Sequence, residues 1–226
     1  MRPLGLIIWR LKHSRLRREF HAQIAAGFDP AALRGWILDV GSGPGLLARR
    51  LRTAHPDLRV VCVDIEPRML EEARSLGCGD LVRASADLLP FRSDVLDTVL
   101  STASLKDWGN RARGLSEIAR VLRPGGAAFV YDFITVGPGS NPPGFVRRYG
   151  VFAELLRRRM GRMIPFSAHD LQGLADSLRT GAVQTRVDEV RDFGAARIVL
   201  TKGAARSMPE AGPTPGVHRS GVARGP

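Results

Sequence analysis

The sequence predicts an α/β fold built on a doubly wound sheet of seven strands, mostly parallel and closed by a C-terminal antiparallel hairpin. Three observations predict it. Short apolar runs alternate with amphipathic stretches between Trp36 and Phe133, the pattern of βαβ units whose strands are covered on both faces. A glycine-rich turn, Gly41-Ser-Gly-Pro-Gly45, follows the first apolar run. Two β-type segments, Val183 to Val190 and Ala195 to Thr201, meet at Asp192-Phe-Gly194. So short a joint allows only antiparallel pairing.

The elements follow in order. Leu4, Ile7, Ile8, Leu11, Leu16, Phe20 and Ile24 keep an approximate 3.6-residue period, so residues 4–26 read as a helix. Asp29-Pro30 is a helix-start signal, and Gly35 closes that short piece. Strand one is Trp36 to Val40, and a helix runs from Leu46 to Ala54. Strand two is Arg59 to Val63, and Pro67 opens a helix ending at Gly77. Asp80 to Ala84 and Leu96 to Ser101 are strands three and four. Leu115, Ile118, Ala119 and Leu122 mark a core-facing helix. Pro124-Gly-Gly126 stops it before strand five, Ala127 to Phe133. Gly137 to Gly144 is a loop, and Phe145, Tyr149, Phe152, Leu156 and Met160 mark a second basic amphipathic helix. Ser167-x-x-Asp170 is a capping-box variant opening a helix closed by Gly181. Residues 203–226 offer almost nothing to bury and read as a disordered tail.

Three parts result: a basic helical cap over 1–34, a core domain over 35–202 with a helical insertion at 138–166, and the tail. The 226 residues suffice for one well-buried domain. The net charge of +12 suggests an anionic partner, whether nucleic acid, membrane surface or acidic small molecule. Arginine carries nearly all of it, with lysine only at Lys12, Lys106 and Lys202, so compositional bias is a competing explanation. Cys62 and Cys78 have no metal-binding spacing, and no metal site is expected. Unpaired thiols fit a reducing compartment. The apolar stretch Pro3 to Trp9 is too short to span a bilayer and has no cleavage signal after it. A cytoplasmic protein is expected, with the basic helices able to rest on a membrane surface.

A glycine turn at the carboxyl end of a parallel strand lets a ligand approach the backbone and the free N–H groups of the next helix. Asp64, about 20 residues on, ends the second strand and suits a ribose diol. The spacing is Gly-x-Gly-x-Gly, not the Gly-x-Gly-x-x-Gly of dinucleotide sites. Asp39 before it is awkward beside a pyrophosphate but suits a cationic sulfonium and ammonium. With the terminal hairpin, these details favour S-adenosyl-L-methionine (SAM) over NAD.

Ile37-Leu-Asp-Val-Gly-Ser-Gly-Pro-Gly45 resembles the first motif of the class I SAM-dependent methyltransferases, whose fold is Rossmann-like. The nearest flavour is the small-molecule branch of ubiquinone/menaquinone-type enzymes. Val61-Cys-Val-Asp-Ile-Glu-Pro-Arg-Met-Leu70 is similar to the second motif. Leu89-Pro-Phe91, Leu96-Asp-Thr-Val-Leu-Ser101 and Val121-Leu-Arg-Pro-Gly-Gly126 match later landmarks. The resemblance runs from about Gly35 to Lys202. It implies that Asp39, Gly41, Ser42, Gly43 and Gly45 hold the methionine end of SAM, with Ser101 nearby. Asp64 would hold the ribose hydroxyls, and Ile65 would pack on the adenine.

Two positions depart from the family. Where relatives carry Gly-Asp-Ala before Leu-Pro-Phe, this chain has Ala84-Ser85-Ala86. Ser85 and the Ala86 N–H remain for the adenine edge, at a loss of about 1 kcal/mol for one neutral hydrogen bond. Asp87 is expected to be exposed. Asp107 stands where relatives often have a histidine before the tryptophan, here Trp108.

Methyl transfer from a sulfonium needs no acid for its leaving group, so positioning supplies much of the rate. A base is needed only if the acceptor must lose a proton. Candidates are Asp107, His21 and Tyr131, with Asp132 and His169 weaker. Phe20, Trp108, Tyr149 and Phe152 are candidate pocket residues, each with core or rim packing as its alternative. The expected activity is methylation of a small, lipophilic or anionic acceptor. An RNA or protein methyltransferase is the alternative enzyme, and a SAM-fold interaction protein without turnover is the non-enzymatic one. Nucleic acid is disfavoured because no aromatic-rich basic groove or Asn-Pro-Pro-Tyr motif follows strand four. The oligomeric state is not encoded in any motif.

Overall fold

The computed structural model describes residues 18–28, 33, 35–134, 166–190, 194–203 and 217–218. Of the expected N-terminal helix, residues 18–26 are seen as α1. The first half of that helix, the Asp29-Pro30 start and the basic helix with Tyr149 and Phe152 lie outside the described residues.

All seven expected strands form: β1 Trp36–Val40, β2 Arg59–Asp64, β3 Asp80–Arg83, β4 Leu96–Thr102, β5 Leu122–Phe133, β6 Val183–Val190 and β7 Ala195–Lys202. The sheet order is β3-β2-β1-β4-β5-β7-β6, with β8 (Val217–His218) added beyond β6. β1 to β5 pair in parallel, and β7 is antiparallel to both β5 and β6. The hairpin is therefore real, but its second strand inserts next to β5 and its first lies outside. β8 falls within the tail expected to lack structure, where Val217 and His218 pair with Val190 and Glu189. Strand five begins at Leu122, not Ala127. Pro124-Gly-Gly126 ends the helix without ending the pairing, because a register shift between Leu96 and Thr98 absorbs it.

Helices α2 (Leu46–Ala54), α3 (Pro67–Ser75), α4 (Arg111–Val121) and α5 (Ala168–Asp176) cover both faces. One core layer packs Phe20 and Ile24 of α1 with Leu47 and Leu51 of α2 against Ile37, Cys62 and Phe129. The other packs Leu115 and Ile118 of α4 and Leu171 of α5 against Leu38, Val99 and Ile198. α5 starts with the expected capping box between Ser167 and Asp170. The strand order reverses between β1 and β4, which opens a crevice at their carboxyl ends where such sheets take ligands.

Candidate active site

A cavity of about 890 Å³ occupies that crevice. One end is walled by Gly41, Ser42 and Gly43 after β1, Asp64 and Ile65 after β2, and Ser85 and Ala86 after β3. The other is walled by Thr102, Ala103 and Ser104 after β4, by Asp107 and Trp108, and by Arg18 and His21 of α1. Two segments far apart in sequence thus share one chamber.

The glycine turn is demanded by geometry at Gly41. Its φ is +66°, and a Cβ there would sit 2.5 Å from Cβ of Ser104. Gly43 also has a left-handed backbone, with φ +54°, but a Cβ would meet nothing within 4 Å. Its open side faces the cavity. Gly45 does not line the cavity; it packs against Cys78, whose thiol donates to its carbonyl at 3.1 Å.

Asp64 is held in place by the glycine turn and by its own loop. Its Oδ2 accepts from the Gly43 N–H at 2.8 Å and its Oδ1 from the Glu66 N–H at 2.9 Å. Each oxygen keeps a further lone pair for a ligand hydroxyl. Asp39 lies beneath the turn rather than on the wall. It is 1% exposed, and neither carboxylate oxygen has a hydrogen-bond partner. Burial, reinforced by the charge of Asp64, pushes its pKa up to about 7, opposed by the Ala48 N–H at the start of α2, which is directed at the carboxylate without closing a hydrogen bond. A buried carboxylate left so is costly unless a cation comes to it.

Ser101 is fully buried and does not reach the wall; its hydroxyl bonds Ser104 Oγ at 2.7 Å. Ser104 takes the wall position instead, accepting from the Trp108 indole N–H at 3.2 Å and donating to the Val40 carbonyl at 3.2 Å. No motif marked Ser104. Ala103 explains the exchange: its φ of +53° turns the chain so that Thr102 and Ser104 both face the crevice. Trp108 lines the cavity and also packs on α4, where a Cβ at Gly114 would lie 2.5 Å from its ring.

The Ser85 hydroxyl donates to Asp87 Oδ1. Asp87 is therefore half-buried and paired, not exposed as expected. The Leu89-Pro-Phe91 segment is clamped from α4. Glu117 accepts the Leu89 N–H at 2.9 Å, while Arg120 donates to the Leu89 and Phe91 carbonyls at 3.0 and 2.8 Å.

Other candidates leave the site. Phe20 is wholly buried, its ring 4.9 Å from that of Phe133, so it is a core residue and not a pocket residue. Tyr131 is buried in the core beside Phe20 of α1, accepts from Arg197 at 3.3 Å and does not line the cavity. Burial raises its pKa, which suits a fixed phenol. Asp132 accepts the Lys106 and Phe133 N–H groups and ties β5 to the 3-10 turn Leu105–Asp107. Asp107 reaches the rim with its side chain 67% exposed and ion-paired to Lys106, a poor setting for a base. His169 is exposed in the first turn of α5. His21 is buried on the wall, its Nε2 2.9 Å from Thr102 Oγ1.

Among known proteins, residues 38–130 match the model of a methyltransferase domain. The chain is 30% identical over 203 residues to an uncharacterized methyltransferase of Mycolicibacterium vanbaalenii, covering 78% of each chain. The chain belongs to the class I SAM-dependent methyltransferases. It is also 31% identical over 153 residues to the ubiquinone/menaquinone biosynthesis C-methyltransferase UbiE of Hahella chejuensis, covering 63% of this chain and 59% of the relative. The chain thus spans less than two thirds of that relative's length. The same fold is seen in the plantazolicin methyltransferase BpumL in complex with SAH, with TM-score 0.66, 11% identity, and coverage of 90% of this chain and 91% of that one. No helix among the described residues is long and apolar enough to cross a membrane.

Proposed function

We propose that this enzyme methylates a small, lipophilic or anionic molecule, with SAM across the β3-β2-β1 end of the cavity and the acceptor at the β4 end. The observation that carries this reading is the pairing of Asp64, fixed by two backbone amides, with Asp39, buried and unpartnered beneath the same turn. Asp64 would take the ribose diol. Asp39 would act by charge from below the turn, favouring the cationic end of the cofactor. Gly41, Ser42 and Gly43 would supply the close backbone surface, with Gly45 and Ser101 supporting it from behind. Ile65, 63% exposed, would gain cover from the adenine, whose edge Ser85 and the Ala86 N–H would meet.

When bound, SAM supplies an electrophilic methyl group on a sulfonium. The chain's own part is to align the acceptor in line with it and to exclude water, with Trp108 and Ser104 on the wall of the β4 end. The UbiE relative supports a lipophilic acceptor, and the basic stretches at 1–28 and 138–166 would suit an amphiphilic one or a membrane surface. Among the described residues no feature favours nucleic acid.

Thermal-shift and calorimetric titration with SAM and S-adenosylhomocysteine (SAH) tests the cofactor half. Both should stabilise the protein, and Asp64→Ala should abolish the effect. Mass spectrometry of cell extract incubated with the enzyme and isotopically labelled SAM tests the acceptor half. Label appearing only in RNA or protein would refute the small-molecule reading.

A further inference from the structure

The order of the sheet arranges the cavity's chemistry. The diol-binding carboxylate follows β2, the buried anion for a cation lies under β1, and the next strand across the crevice is β4. A ligand laid from β3 to β1 therefore points its cationic centre toward the end of β4. There the wall carries Thr102, turned inward by the left-handed backbone of Ala103, and His21 from α1. These two lie 81 residues apart in sequence, yet Thr102 Oγ1 and His21 Nε2 meet at 2.9 Å, both buried. Core packing does not require this meeting. Phe20 and Ile24 already anchor α1 to the sheet, so the polar pair is an addition to a helix held by apolar contacts.

The acceptor's chemistry follows from what such a pair can do. A free amine or thioether acceptor brings its own lone pair and needs no base. A hydroxyl acceptor does, and a threonine hydroxyl beside an imidazole nitrogen can pass a proton along. Arg18, one turn earlier on α1, and Asp107 put charges of both signs at the same end of the cavity, whereas the charged side chains of the far wall, Asp64, Glu66 and Glu72, are all acidic. The acidic far wall disfavours an oxyanion, and the α1 end is the less acidic of the two.

We propose that Thr102 and His21 form a proton relay serving an ionisable hydroxyl acceptor, a phenol or an enol, at the β4 end of the cavity. This rests on the methyltransferase reading above and names the acceptor class for it. The acceptor O–H proton passes to Thr102 Oγ1 as the threonine's own proton passes to His21 Nε2. The freed electron pair, on oxygen or on the conjugated carbon, bonds the methyl carbon, and the pair of the broken carbon–sulfur bond stays on sulfur. The imidazolium returns its proton to solvent. Thr102 is the catalytic residue that touches the acceptor, and His21 acts through it.

The test uses 4-nitrophenol as probe, added to the SAH-loaded full-length protein in a buffer below the free phenol's pKa. Absorbance of the bound nitrophenolate is read. The wild type should bind the probe and show the anion band. Thr102→Val and His21→Gln should lower the bound anion fraction roughly tenfold, one pKa unit's worth, and Thr102→Ser should restore it. SAH affinity should stay within about threefold in all variants. If Thr102→Val loses SAH binding, His21→Gln decides alone. Arg18, Lys106, Asp107, Asp64, Glu66 and Glu72 are unchanged throughout, so a band that survives in both variants belongs to them and overturns the relay. SAH binding with no probe bound at millimolar concentration also overturns it, while leaving the methyltransferase reading intact. A wild type that binds no SAH overturns both.

Discussion

The two ends of the cavity are built in opposite ways. The cofactor end is a run of strand-end turns, each closing on itself or on the next: Asp64 is oriented by amides of Gly43 and Glu66, and Ser85 by Asp87 two residues on. The acceptor end joins α1 to β4, and its key contact spans 81 residues. Local construction makes a rigid, motif-encoded site. Distant construction makes a site that can change with the segment docked there while the cofactor end stays constant. One fold can so serve many acceptors.

The comparison is broken most severely at Asp64. Asp64→Ala removes two charge-assisted backbone bonds and the diol acceptor, and should weaken SAH binding at least about 100-fold by calorimetry, from roughly 3 kcal/mol. Substitution at His21 should leave that affinity in place.

Gly41→Ala forces a side chain into a left-handed backbone and against Ser104. It should cost about 1–3 kcal/mol of stability by denaturant titration and disturb both ends at once, since Ser104 links them. Gly43→Ala meets open space and should cost about 1 kcal/mol, with its larger effect on SAH binding.

Asp39 gives a pH signature to the cofactor end alone. Its folded pKa, near 7, stands above the ordinary 3.8. Between those values the folded state holds a proton that the unfolded state has lost. The Asp39 contribution to apo stability is therefore full at acid pH and falls as pH rises toward 7, by an order of a few kcal/mol. Asp132, pushed up to about 6 by burial, adds a slope of the same sign. Asp39→Asn should flatten only its own share, stabilising the apo protein at pH 8. It should also remove the rise in SAM affinity through neutral pH that a cation over an ionising carboxylate predicts. Melting curves and titrations at pH 5 and 8 check both.

The smallest effect sharpens the division. Ser85→Ala should weaken SAH binding by about 1 kcal/mol, one neutral hydrogen bond, and Tyr131→Phe should lower stability by a similar amount with SAH affinity unchanged. A large loss of SAH affinity in Tyr131→Phe would mean that the core around Tyr131 and Arg197 belongs to the site.

Much of this was legible from residues. The strands, the capping box and the glycine turn with Asp64 rest on local patterns of apolar period, cap chemistry and spacing, and they form where expected. The misreadings share a cause. Phe20 and Ser101 each sit one position from a residue that does line the cavity, His21 and Thr102, and Tyr131 is buried in the core. A strand or helix shows which residues alternate, but only packing decides which face meets the ligand. Ser104 carried no signal because the left-handed turn at Ala103 is set by tertiary contact, the Ala103 N–H donating to the Tyr131 carbonyl at 2.8 Å. Asp87 was misplaced because a two-residue side-chain bond to Ser85 outweighed its preference for water.

By itself the sequence determined the fold class, the cofactor and the glycine turn after the first strand, because these depend on short-range spacing that survives in one dimension. Only the tertiary structure decided that β7 separates β5 from β6, that Asp39 is buried without a partner, and that His21 meets Thr102. Those are contacts between surfaces whose approach is fixed by the packing of two core layers, and no local pattern encodes them.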